Sequence, residues 1–384
     1  MATVQAPTSS ELIPLSAPDL SGNEAAYLQE CVRSGWVSSA GPFVEKFEGA
    51  LAELTGAAHA VAIMNGTAGL HLALRALRIR EGDEVIVPTL TFIAPVNAVR
   101  YCGAQPVFID ADPATFQMDV DKLEQALIRR KGRVRAIMAV HLLGFACEMD
   151  RIMALARAHG VAVIEDACEA IGVRYRNQSC GTWGAIGVFS FNGNKTVTSG
   201  GGGVVVTEHP ALADRVRYLS TQAKDDPRAY IHREIGYNYR LTNLQAAVGL
   251  AQLERLEPFI ERKRAIAAGY DEAFRGLDGV LPMPAPDESD GSRWTYWLYT
   301  MLLPEGTRVG QRDAVIDELA SRGIEARALW YPVHALLPYA GCDAEQMEHA
   351  MALHRRGVSL PSSVGLTENK QARVVEAVKA VVAR

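Results

Sequence analysis

The chain has 384 residues, is 48% hydrophobic and carries a net charge of −5, so it can bury a large core and lacks the basic excess that a nucleic-acid partner requires. Its apolar stretches, such as Glu84 to Pro88, are too short to cross a bilayer, and its N-terminus has neither the basic nor the apolar region of a signal peptide, so a cytoplasmic protein is expected. The six cysteines, Cys31, Cys102, Cys147, Cys168, Cys180 and Cys342, show no C-x-x-C or Cys/His spacing; they read as reduced thiols, with neither a disulfide framework nor a metal site.

Residues 1–10 are small and polar and are expected to be disordered, within an N-terminal arm over 1–20. Ser21 with Glu24 three positions on forms a capping box that starts a helix, and Gly35 can end it. Trp36 to Gly41 is a turn-rich connector. A strand at Ala60 to Met64 leads through Asn65-Gly66-Thr67-Ala68-Gly69 into a helix over Leu70 to Leu77, and such a strand, turn and helix start expose N–H groups that can hold an anion. Strands at Glu84 to Pro88, Gln105 to Ile109, Ala136 to Val140 and Val161 to Ile164 alternate with helical stretches, the rhythm of a mainly parallel sheet covered by helices. His141, at the end of one strand, reads equally as a structural or a functional histidine. Thr242 caps a long amphipathic helix reaching Glu257. Beyond it, Pro282 to Ser292 is a connector, Trp294 to Leu303 alternates like an antiparallel strand, and Arg312 to Arg322 is helical. These elements divide the chain into a large α/β domain over 21–257 and a smaller C-terminal α+β domain over 258–384.

Two stretches carry chemistry. Val161 to Ile164 is a short apolar run suited to a strand buried on both faces, which places Asp166 at its carboxyl end, where open α/β sheets bind ligands. Alone, Asp166 also reads as a helix N-cap. A carboxylate there can pair with a protonated ring nitrogen such as that of pyridoxal phosphate (PLP); at about 3 Å and an effective dielectric of ~20 the attraction is several kcal/mol. The second stretch, Ser190-Phe191-Asn192-Gly193-Asn194-Lys195, ends in one lysine and is followed by four glycines, 200–203. An isolated lysine is usually a solvated surface group, whereas one aimed into a cleft among small residues is suited to Schiff-base chemistry. The glycines let the backbone pass close to a ligand or another strand.

Asp166 precedes Lys195 by 29 residues, and the pair Glu-Asp-Ala-Cys-Glu-Ala-Ile-Gly and Ser-Phe-Asn-Gly-Asn-Lys-Thr resembles the signature of DegT/StrS-type nucleotide-sugar aminotransferases, PLP enzymes of fold type I. The resemblance runs along nearly the whole chain and implies an aspartate-aminotransferase-like fold. It implies that Lys195 holds pyridoxal 5′-phosphate, with pyridoxamine 5′-phosphate as the intermediate form, and that Thr67, the Ala68 amide and Ser190 hold the phosphate. Phe92 stacks on the ring in this reading, although most such aromatics are core residues. Asp166 pairs with the ring nitrogen. Glu169, three residues on and expected on the same helical face, touches the ring hydroxyl; by default it is a solvated carboxylate. Glutamate at that position resembles the branch that aminates C4 of 4-keto-6-deoxy sugars.

The Gly236-Tyr237-Asn238-Tyr239-Arg240 segment resembles one in which the asparagine crosses to the partner's phosphate, implying a homodimer whose active sites are shared. Ser38, Ser39 and His334 are the candidate sugar contacts, His334 reading nearly as well as a structural residue. The implied reaction moves an amino group from an amino acid, L-glutamate by expectation, to a nucleotide-linked 4-keto-6-deoxy sugar. UDP-2-acetamido-2,6-dideoxy-4-keto-glucose is the first expectation and GDP-4-keto-6-deoxymannose, the precursor of GDP-perosamine, the alternative. A dehydratase of the same fold would carry histidine in place of Lys195. A non-catalytic regulatory protein on this fold would be expected to lack Lys195, Asp166 or the phosphate-binding residues, and all are present.

Overall fold

A computed structural model of the chain describes residues 12–226, 228–344 and 347–382. The disorder expected for 1–10 lies outside the described residues. Seven strands between residues 59 and 207, β1 (His59–Ile63), β2 (Glu84–Pro88), β3 (Gln105–Ile109), β4 (Val134–Val140), β5 (Ala162–Asp166), β6 (Ile186–Ser190) and β7 (Gly203–Thr207), build the central sheet. Its order is β1-β7-β6-β5-β4-β2-β3, with β6-β5-β4-β2-β3 parallel and β7 running antiparallel between β6 and β1. Val61 to Ile63, Val85 to Val87, Ala136 to Ala139 and Val204 to Val206 are fully buried, as strands covered on both faces must be; each such aliphatic side chain contributes roughly 1.5–3 kcal/mol. The helices α1 (Glu24–Ser34), α2 (Pro42–Thr55), α3 (Gly66–Ala76), α4 (Ala94–Tyr101), α5 (Val120–Arg129), α6 (Met149–His159), α7 (Pro210–Ser220) and α8 (Asn243–Leu253) flank it.

After α9 (Leu256–Phe274), β8 (Tyr299–Leu302) and β9 (Arg327–Ala328) both pair antiparallel with the strand at Gly357–Leu360, forming a separate three-stranded sheet. A short strand, Asp343–Ala344, instead joins the edge of the central sheet beside β3. The boundary expected between 257 and 258 falls in the first turn of α9.

Several local expectations are corrected. The Ser21–Glu24 capping box does not form: Ser21 N–H and Oγ–H donate to Asp19, and Glu24 Oε1 accepts from Gln252 Nε2 at 2.6 Å. Gly35 does end α1, in the left-handed conformation. The helix expected through Glu257 is two helices, because Arg255 leaves helical geometry at φ −114° and a continuous helix would drive the Pro258 ring into the preceding turn. Thr242 does cap α8, in a reciprocal capping box with Gln245. The strand expected from Trp294 shrinks to Tyr299–Leu302, since Tyr296 takes φ +49° and Thr295 N–H turns aside to donate to the Gly144 carbonyl.

Candidate active site

A cavity of about 400 Å3 opens where β4, β5 and β6 end. Asp166 is the last residue of β5 and Ser190 the last of β6, so the parallel register alone brings their side chains to one rim. Asn65 caps α3 by accepting the Ala68 N–H at 2.8 Å, and the helix starts at Gly66, four residues earlier than the pattern from Leu70 suggests. A Cβ at Gly66 would stand 2.7 Å from Cys168 Sγ and 3.2 Å from Ser190 Cβ. The helix start and the Ser190 hydroxyl therefore face each other across the width of one side chain. The glycine run does the corresponding work behind them: a Cβ at Gly203 would lie 2.7 Å from the Asn65 carbonyl carbon, so only glycine lets β7 pass that closely.

Lys195 lies five residues past β6. Its Nζ is 3.5 Å from Glu169 Oε1 and 3.9 Å from the centroid of the Trp297 ring. Glu169 is not on a helix. Residues 167–173 form successive turns, with Ala170 N–H donating to Ala167 O and Val173 N–H to Ala170 O, and Gly172 is left-handed. The carboxylate reaches the cavity nonetheless, held from behind by the Leu143 N–H at 3.0 Å to Oε2. Burial pushes its pKa up to about 7, against the opposing pull of Lys195 and the Leu143 N–H. Burial likewise raises Asp166, opposed by the Cys168 N–H that donates to Oδ1 at 3.1 Å. Both carboxylates thus sit in surroundings that favour a cationic partner.

Of the residues singled out in the sequence, Thr67, Phe92, Asp166, Glu169, Ser190 and Lys195 line this cavity. Phe92 is 56% exposed at its mouth, which is not the setting of a core aromatic. Ala68 does not line it, and its N–H is already engaged by Asn65. Gly66 and Thr67 take its place at the wall. Ser38, Ser39 and Asn238 are exposed and outside this cavity. His334 is also outside the lining, its Nδ1 2.6 Å from Thr89 Oγ1. His141 is fully buried, with Nε2 2.9 Å from Glu165 Oε2 and the Cys147 N–H donating to Nδ1. That N–H needs a lone pair on Nδ1, so the proton sits on Nε2 and bonds Glu165. Glu165 also accepts from the backbone of Gly181, Trp183 and Gly184, which makes the pair a buried brace between β4, β5 and the 181–184 turn, outside the cavity lining.

Sequence reasoning did not single out Ser16, Thr91 or Trp297, and within the segment Arg327 to His334, expected from the resemblance to lean over the sugar, it chose His334, whereas Arg327 and Trp330 line the cavity. Trp297 lies in a segment whose alternation reads as strand, and no local signal links it to Lys195. All six cysteines are free. Among the described residues no His, Cys, Asp or Glu cluster is arranged to hold a metal, and no helix is long and apolar enough to cross a membrane.

The residues present fit PLP. The cradle between Gly66 and Ser190 suits a phosphate, the buried Asp166 a ring N–H⁺, and Lys195 the carbonyl carbon. Thr91 adds a hydroxyl at the wall that is 2% exposed and has no hydrogen-bond partner among the described residues, an atom that a bound ligand would satisfy.

Comparison with known proteins gives the same picture. The DegT/DnrJ/EryC1/StrS aminotransferase family model matches residues 18–379. The chain is 44% identical over 369 residues to the GDP-perosamine synthase of Caulobacter vibrioides, covering 96% of this chain and 98% of that one. It is 43% identical to the GDP-perosamine synthase of Escherichia coli O157:H7, covering 95% and 97%. Its structure matches the PLP form of Spr1654 from Streptococcus pneumoniae, a candidate sugar aminotransferase, with a TM-score of 0.90 at 28% identity, covering 97% and 99%.

Proposed function

Since the chain belongs to the DegT/DnrJ/EryC1/StrS aminotransferase family and is a PLP-dependent sugar aminotransferase of fold type I, we propose that it transfers an amino group from L-glutamate to C4 of GDP-4-keto-6-deoxymannose. The carrying observation is full-length similarity, at 44% and 43% identity, to two GDP-perosamine synthases, which favours the GDP-linked sugar over the UDP-linked one that the sequence reading put first.

Bound PLP supplies an electron sink through which an amino group leaves the donor and enters a keto carbon. In this reading Gly66, Thr67 and Ser190 would bind its phosphate, Asp166 would keep its ring nitrogen protonated, and Phe92 would pack against the ring. Lys195 is the amine that would hold the cofactor and, when free, would take up and return a proton at its Nζ. When it carries that proton, Glu169 Oε1 at 3.5 Å and the Trp297 ring face at 3.9 Å receive the ammonium, so the lysine stays poised rather than swinging into solvent. The walls formed by Trp297 and Trp330, stacked with centroids 6.3 Å apart, keep water from the reacting atoms.

The same reading makes the enzyme a cytoplasmic homodimer with shared sites and a small C-terminal domain from about residue 258. In support, Asn238, Ser38 and Ser39 are exposed outside their own chain's cavity, next to exposed apolar residues including Trp36 at 51%, Tyr230 at 70% and Ile235 at 77%. These would serve the partner's cavity, whereas His334 would lean over the sugar of its own. Light scattering tests this: a fully active monomer would end the shared-site reading. The substrate is tested by supplying L-glutamate with each sugar and measuring the amino-sugar product by mass spectrometry. The proposal expects kcat/KM for the GDP-sugar to exceed that for the UDP-sugar by about tenfold or more, the ~1.4 kcal/mol of one good discriminating contact. Turnover of the UDP-sugar alone would overturn it.

A further inference from the structure

The carbonyl of Asn194, the residue just before Lys195, accepts two hydrogen bonds from opposite ends of the chain. Ser16 Oγ–H donates to it at 2.9 Å, and the indole Nε1–H of Trp297 donates at 2.8 Å. Neither donor is loosely held. Ile13 bridges to Ile324, through Ile13 N–H to Gly323 O and Glu325 N–H to Ile13 O; Leu15 N–H donates to Glu325 Oε2, and Ser362 N–H to Leu15 O. The arm is thereby fixed to the C-terminal segment before Ser16 reaches the lysine loop. Trp297 is fixed from the other side: the buried Lys263 Nζ donates to its carbonyl at 3.0 Å and to Ser362 O at 2.8 Å. Gly144 packs against it so closely that a Cβ there would be 2.6 Å from the Trp297 nitrogen.

We infer that Ser16 and Trp297 are positioning residues for Lys195, clamping the Asn194 carbonyl so that the docking of the N-terminal arm and of the 294–297 segment sets where the lysine amine stands. The clamp acts on the loop where no strand or helix holds it: Lys195 N–H bonds back to Asn192 O, Ser199 N–H reaches Phe191 O, and the next strand begins at Gly203. Two acceptances by one carbonyl use both of its lone pairs, so the peptide plane joining Asn194 to Lys195 cannot rotate without breaking both bonds. The inference rests on Lys195 being the working amine of the proposed transaminase, but its test does not.

The test uses the purified full chain without cofactor or sugar, as wild type, Ser16→Ala, Ser16→Thr and Trp297→Phe. Hydrogen exchange is read over residues 192–196, and trace acetylation by acetic anhydride is read as the ratio of Lys195 to the exposed Lys46. Losing one clamp bond in Ser16→Ala or Trp297→Phe is expected to raise both readings about fivefold, the factor for one net hydrogen bond, while the thermal midpoint holds. Ser16→Thr, which keeps the hydroxyl, is expected to return both to wild type. Wild-type readings in both Ser16→Ala and Trp297→Phe, or a Ser16→Thr protein that behaves like Ser16→Ala, would overturn the inference. Ser16→Ala removes one half-buried oxygen, so it folds and decides the matter even if Trp297→Phe does not. Failure of either GDP- or UDP-sugar turnover would leave these readings unaffected.

Discussion

The two walls of the cavity are built differently. On one side stand Asp166 and Ser190, the last residues of two paired parallel strands, Thr67 in the first turn of α3, and Lys195 on the loop after β6; strand pairing and the helix start place the first three, so most of this wall is assembled once the sheet and α3 form. On the other stand Ser16, Trp297, Arg327 and Trp330, supplied by an arm and a C-terminal sheet whose contacts with the lysine loop span 178 residues for Ser16 and 103 for Trp297. The first wall carries the chemistry and the second holds it in place, so damage to the first should show as lost turnover and damage to the second as lost order or stability.

The largest break comes on the first wall. Lys195→Ala is expected to fold, as read by circular dichroism, and to lose about 10⁴-fold or more in kcat, the upper range for a positioned acid–base group; steady-state turnover near wild type would refute the assignment. Asp166→Asn keeps the shape but removes the charge facing the ring nitrogen, and kcat/KM should fall about a hundredfold, corresponding to a few kcal/mol of ion pairing. On the second wall, Gly144→Ala should leave the chemistry named but cost stability. Gly144 has φ +91° and a Cβ would lie 2.6 Å from the backbone nitrogens of Tyr296 and Trp297, so about 2–4 kcal/mol is expected from strain and overpacking, seen as a lower urea midpoint.

The smallest effect per step of the measurement lies between the walls, at Glu169, where it is read one pH unit at a time. Its carboxyl is raised from 4.5 to about 7 in the folded protein, so the folded state holds a proton that the unfolded state has released. The resulting stability is complete below the ordinary value of 4.5 and is lost as pH rises through about 7. Cofactor-free wild-type protein should therefore weaken across that window, at no more than ~1.4 kcal/mol per pH unit, and Glu169→Gln should lack that component of the slope. Parallel pH profiles for the two proteins would contradict it.

The difference between the walls also explains what was legible in the sequence. The central strands read almost to the residue at Glu84 to Pro88 and Gln105 to Ile109, because continuous apolar runs between turns admit one assignment. Asp166 and Ser190 followed, since a strand's end is a position as well as a residue. Glu169 was placed in the right cavity for the wrong reason, on a helix that Gly172 and the Cys168-to-Asp166 bond prevent. Trp297 was hidden because alternation reports a strand whether or not a residue such as Tyr296 turns left-handed within it. Ser16 was hidden because its partner is a carbonyl, which no sequence pattern marks.

The central claim is that Lys195 and Asp166 form a working PLP site, and the absorbance spectrum of the purified protein tests it most directly. After incubation with PLP and removal of the excess, wild-type protein should show a visible cofactor band that L-glutamate bleaches, and Lys195→Ala should show none at that position. A wild-type protein that retains no cofactor, or whose Lys195→Ala variant gives the same band bleached in the same way, would contradict the account.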